Sequence, residues 1–65
     1  MDYEQAEKVK KNDLLIYDGD KDGPQLVKVL IVYKYEHSIR FKVVNKSNNW
    51  VYAAHASKFS LNETK

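Results

Sequence analysis

The run from Gln25 to Val44 constrains this chain most. Gln25-Leu-Val-Lys-Val-Leu-Ile-Val-Tyr-Lys-Tyr35 is dense in β-branched and aromatic side chains, and Ser38-Ile-Arg-Phe-Lys-Val-Val44 alternates apolar with cationic residues. Side chains of this kind lose rotamer freedom in a helix and pack well on a pleated surface, and a period of two sorts them onto opposite faces. Two long antiparallel strands joined by a tight hairpin are therefore expected here. Whatever else the chain does must be built around them.

The register of that hairpin decides where the cations point, because a slip of one residue moves every side chain to the other face. A three-residue loop of Glu36, His37 and Ser38 sets Tyr35 opposite Ile39, Tyr33 opposite Phe41 and Ile31 opposite Val43, which makes one face continuously apolar. A two-residue loop instead puts Tyr33 beside Arg40 and Ile31 beside Lys42, mixing the faces. The first register is the expectation. Its second face carries Lys28, Lys34, Arg40, Lys42 and Lys46, with Leu30, Val32 and Val44 between them, and sets Lys34 against Arg40 and Lys28 against Lys46. Like charges directly across a strand pair repel, and an anionic partner would relieve that cost.

Three shorter runs complete the pattern. Leu14-Leu-Ile-Tyr17 and Trp50-Val-Tyr-Ala-Ala54 read as strands, Phe59-Ser-Leu61 as a short closing strand, and His55-Ala-Ser-Lys58 leaves room for one helical turn before it. Residues 3–11 form a candidate N-terminal arm or short helix, with Tyr3, Ala6 and Val9 on one side and Glu4 to Lys8 and Glu7 to Lys11 at the spacing of helical ion pairs. A helix that short is marginal alone, so it either packs on the strands or frays. The expected organisation is an arm over 1–11, a β domain over 12–62 and a tail over 63–65. Five short antiparallel strands with tight turns and one helical turn before the last indicate an all-β, five-stranded, SH3-like barrel, in which closure would hide most strand edge.

Sixty-five residues without a cysteine bury a small core and have no disulfide or thiolate metal site to reinforce it. A reducing cytoplasm is the expected compartment, since the acidic, polar N-terminus does not resemble a secretory signal and no apolar run approaches the ~20 residues of a membrane span. Two glycosylation sequons, Asn45-Lys46-Ser47 and Asn62-Glu63-Thr64, carry no weight in such a compartment. The net charge of +2 is too small to imply a polyanion partner. Its distribution is more telling: seven of the nine acids lie in the first 22 residues, whereas from Gln25 to Lys58 the only acid is Glu36.

Asp18-Gly-Asp-Lys-Asp-Gly-Pro24 spaces three carboxylates as a calcium loop does, but its twelfth position, counted from Asp18, is Val29 where the loop needs a bidentate Glu. Its flanks are strand-like as well. The stretch reads as a turn, with Gly19 and Gly23 giving backbone freedom, Asp side chains bonding nearby amides and Pro24 fixing its own angle. In the same region Leu14-x-Ile16-x-x-Gly19-x-x-x-Gly23 resembles the opening of the KOW motif, with Leu26 where that motif has its third glycine. The segment Trp50 to Leu61 looks like the last two strands of Tudor-like barrels. The KOW resemblance implies a role beside RNA, ribosomes or the transcription machinery.

No motif points to catalysis: His37 and His55 have no metal spacing, Ser57 near His55 has no orienting acid, and a barrel this small offers no deep pocket. No catalytic residue, metal or cofactor is expected. Two binding functions from different classes remain open. In the first, Lys28, Lys34, Arg40, Lys42 and Lys46 meet nucleic-acid phosphates, with Tyr35, Trp50 or Tyr52 stacking on bases near the rim. In the second, Tyr33, Tyr35, Trp50 and Tyr52, or an edge strand, dock an adaptor or inhibitor onto a larger protein machine, a role that suits a virus or mobile element. Trp50 is otherwise expected in the core, where a large aromatic contributes most to a domain of this size. The same basic residues on a solvated face would also keep the sheet soluble without any partner.

Overall fold

The computed structural model describes residues 1–62; the expected tail over 63–65 lies outside the described residues, and the second sequon only begins within them. The chain runs α1 (Tyr3–Glu7), β1 (Leu14–Tyr17), β2 (Gln25–Lys34), β3 (Ile39–Asn45), β4 (Val51–His55), a 3-10 turn (Ala56–Lys58) and β5 (Phe59–Leu61). All neighbours are antiparallel, in the order β4-β3-β2-β1-β5. The fold is thus mostly strand, with the helical turn before the last strand and a short helix at the N-terminus, as the sequence indicates. The expected closure does not occur: hydrogen bonding stops at β4 on one side and β5 on the other.

The N-terminal arm is ordered, and it belongs to the same core as the strands. The Asp2 carboxylate accepts from the Gln5 N–H (2.9 Å), satisfying one of the donors that the first turn of any helix leaves free. The helix ends at Glu7, short of Lys11, and neither expected ion pair supports it. What holds it is burial: Ala6 and Val9 enter the cluster formed by Leu15, Val27, Val29, Ile39, Phe41, Val43 and Phe59. Small side chains let the arm lie close to the sheet.

The β2–β3 hairpin corrects the expected register. Tyr35 donates its N–H to the Ser38 carbonyl (2.8 Å), closing a two-residue loop, and Tyr33 then faces Arg40, Val32 faces Phe41 and Ile31 faces Lys42. Farther along, Val29 faces Val43 and Lys28 faces Val44, so β2 contains one more residue than β3 over this interval. The extra residue is Leu30, a β-bulge. It reconciles the two halves: Val27 and Val29 point inward before it, Val32 after it, while Ile39, Phe41 and Val43 hold one unbroken inward row on β3. Neither expected like-charge pair forms, because Lys34 faces Ile39 and Lys28 faces Val44.

The turns are built by short polar side chains. Asp20 closes the acidic turn between β1 and β2, its carboxylate accepting from the Asp22 N–H (2.8 Å) and its carbonyl from the Gly23 N–H (3.1 Å). Gly23 has φ +101, a conformation that side chains disfavour. Gly19 is needed for a different reason, since a Cβ there would sit 2.5 Å from the Tyr17 hydroxyl oxygen. At the β3–β4 turn, Asn49 adopts φ 62 and its N–H donates to the Asn45 carbonyl (2.8 Å).

Candidate binding surfaces

Directly opposed residues define rows across the outer face of the sheet. Leu14, Lys28, Val44 and Val51 form one row, Ile31, Lys42 and Ala53 the next, and Tyr33, Arg40 and His55 a third. Lys28, Arg40 and Lys42 therefore share this face. Lys46 lies just beyond the end of β3, where its N–H donates to the Leu26 carbonyl (2.9 Å). Lys34 does not join them: it sits on the inner side of the hairpin tip opposite Ile39, because the two-residue loop reverses the parity expected for it. Val32 is likewise turned inward, against Phe41, and is packed on the core.

None of the five strands contains Asp or Glu. The outer face is nonetheless not simply basic. Leu14, Leu26, Ile31 and Val51 remain 36–51% exposed on it, separated by the cations rather than hidden by them. An aliphatic surface of this kind, interleaved with charge of one sign, is not part of the monomer's core, which lies on the opposite face.

The four candidate aromatics do not form one patch. Tyr33 lies in the outer row with Arg40, and Tyr35 projects from the hairpin at 54% exposure. Trp50 stands at the far end of β3, roughly 17 Å away at about 3.4 Å per residue, and Tyr52 is on the inner face opposite Val43. Trp50 is 71% exposed, which overturns its expected place in the core. The turn explains this: the Trp50 N–H donates to the Asn48 side chain (2.9 Å) and its carbonyl accepts from Asn45, so the backbone is fixed before the inward row of β4 begins.

Tyr52 instead meets a residue of β1. The Tyr17 and Tyr52 rings lie 5.1 Å apart, and Tyr17 packs in turn on Phe59 at 5.2 Å. Tyr17, Trp50 and Tyr52 line a shallow groove whose other wall is Asp20 and Lys21 of the β1–β2 loop and whose floor reaches the β4 edge at Ala53. Partial burial pushes the Tyr52 phenol up from its usual value, a bond from Asn45 opposes this, and the Tyr17 and Asp20 side chains add to the upward push. The hydroxyl accepts from the Asn45 amide (3.3 Å).

Asn45 is the one buried polar side chain among the described residues, 1% exposed. Its amide nitrogen donates to Gln25 Oε1 (3.4 Å) and the Tyr52 hydroxyl, and its oxygen accepts from the Ser47 N–H (2.7 Å). The inward alternation Ile39, Phe41, Val43 reaches Asn45 at the next step, and that was the signal available for it. The groove residues Tyr17 and Asp20 had no such signal, since loop and strand come together only in the tertiary structure. His55 serves the 3-10 turn: its Nδ1 accepts from the Ser57 N–H (3.0 Å). Among the described residues no group of three or more His, Cys, Asp or Glu is placed to hold a metal, and no helix is long and apolar enough to cross a membrane.

No family model matches the chain, and neither a curated protein nor a solved structure matches it.

Proposed function

We propose that this protein is a small, non-catalytic, cytoplasmic protein-binding module that docks through the outer face of its sheet onto a partner surface both apolar and acidic. The observation that carries this reading is the exposure of Leu14, Leu26, Ile31 and Val51 on a face that also holds Lys28, Arg40 and Lys42 and whose strands contain no acid. Phosphates reward the cations but gain nothing from the aliphatic side chains. A protein surface of opposite charge rewards both, the apolar contacts giving affinity and the cations register and encounter rate. With every acid outside the strands, no strand residue competes for these cations.

A second reading rests on one row. Tyr33 beside Arg40, with Lys42 in the adjacent row, places a stacking surface next to phosphate ligands, and the likeness of residues 14–23 to a KOW opening points the same way. Affinity capture from extract separates the two. Intact protein is compared with Leu26→Thr/Ile31→Thr and Lys28→Glu/Lys42→Glu variants shown to be folded by circular dichroism, each with and without nuclease. Loss of the same captured proteins in both variants, unaffected by nuclease, is the expected result. Capture abolished by nuclease favours the nucleic-acid reading, and capture unchanged in both variants removes the outer face from either.

A further inference from the structure

The two edges of the sheet are treated differently by the fold. On β5, three residues long, the edge is already used: the Met1 amino group donates to the Phe59 carbonyl (3.2 Å). On β4 the edge runs for five residues. The bond from the Asn45 N–H to the Trp50 carbonyl (2.7 Å) fixes the phase of the β3–β4 ladder. In an antiparallel pair, hydrogen-bonded and non-bonded positions alternate, so Trp50, Tyr52 and Ala54 turn their backbone groups toward β3, and Val51 and Ala53 turn theirs away. Among the described residues no other strand or loop pairs with these groups. The edge also lacks the usual protections, having no lysine, proline or bulge.

Beside this bare edge lies the groove of Tyr17, Trp50 and Tyr52, with Asp20 and Lys21 on its far wall. We infer that β4 accepts an extended peptide segment as a sixth strand, paired to the backbone of Val51 and Ala53, with a lysine or arginine side chain of that segment seated in the groove against the aromatic rings and the Asp20 carboxylate. The main-chain bonds supply affinity without sequence preference, and the groove supplies the preference. Rings attract a cation through their faces, and a carboxylate within the same groove adds a charge-assisted bond. Asp18 and Asp22 lie in the same loop as Asp20 and Lys21, so three carboxylates outweigh the one lysine and the loop's field stays negative. A second copy pairing through its own β4 does not fit as well, because Val51–His55 holds no lysine or arginine to offer the groove. This edge borders the outer face, Val51 and Ala53 offering side chains there and backbone groups here, and the two readings are tested by different substitutions.

The test uses two blocked pentapeptides, Val-Lys-Val-Lys-Val and Val-Glu-Val-Glu-Val, whose alternation sends both charged side chains to one face. Trp50, the sole tryptophan, reports binding by fluorescence, and amide exchange reports pairing at Val51 and Ala53. The lysine peptide is expected to change Trp50 emission and protect those two amides, and the glutamate peptide to bind more weakly. Ala53→Pro removes an N–H that faces away from β3, a position an edge strand tolerates, and is expected to weaken binding about fivefold or more. Asp20→Asn keeps the acceptor for the Asp22 amide while removing the charge, and should weaken the lysine peptide about threefold and leave the glutamate peptide no weaker. Leu26→Thr/Ile31→Thr should bind the lysine peptide as the unmodified protein does, whatever becomes of the outer face. Equal binding of the two peptides, binding by neither, no protection of Val51 and Ala53, or self-association through β4 in their absence would each overturn the inference.

Discussion

The two faces of one sheet differ less in composition than in what surrounds them. On the inner face Val27, Val29, Phe41 and Val43 are fully buried beneath α1, β5 and the aromatic ring of Phe59, which meets Phe41 edge-on at 5.3 Å. On the outer face Leu26, Ile31 and Val51 are much the same kind of residue, yet they remain 36–51% exposed. Hydrophobicity alone therefore does not say which side becomes the core. What decides it is which side the short elements, α1 and β5, can reach and close.

That contrast can be broken from the inside first. Phe41→Ala removes the ring at the centre of the inner face and is expected to cost about 3–5 kcal/mol, enough to unfold much of a domain with so small a core. Chemical denaturation followed by Trp50 fluorescence measures it, and a cost under about 1 kcal/mol would mean that the inner face is not the core. A smaller loss is expected for Asn45→Ala, about 1–3 kcal/mol, because the Ser47 N–H and the Gln25 and Tyr52 side chains lose a shared partner in a part-buried site. Tyr52→Phe in the same background should then cost less than it does alone, and additive losses would show that the three groups do not act as a network. The smallest effect belongs to the outer face: Ile31→Thr should leave stability within about 0.5 kcal/mol of the unmodified protein. A loss comparable to that of Asn45→Ala would show that Ile31 supports the fold rather than a partner.

The positions of the strands were legible because turn formers stand at several of their ends, in Asn12-Asp13, the Asp18–Pro24 loop and the Asn45–Asn49 cluster. Leu14–Tyr17 and Phe59–Leu61 occur with the bounds the sequence indicates, and the other three shift by a single residue at one or both ends. Their register was not legible. From Val29 to Tyr33 every residue of β2 is apolar, so the run offers no alternation from which to read parity, and a bulge inside it leaves no trace. The error at Lys34 follows directly. Trp50 was misplaced for a different reason: its size favours burial and it shares the parity of Tyr52, but it stands in the asparagine-rich turn before β4 begins, past the end of the core. The basic face survived the corrected register because Arg40 and Lys42 alternate on β3, which has no bulge.

Leu30 is the one supernumerary residue in the long ladder, and the pairs on either side of it are complete without it. A chain lacking Leu30 would retain Val29 opposite Val43 and Ile31 opposite Lys42 while its longest ribbon straightened. Curl and partnership are thus written in different residues, and an insertion or deletion at this single site would reshape the concavity of the molecule without exchanging any neighbour across the hairpin.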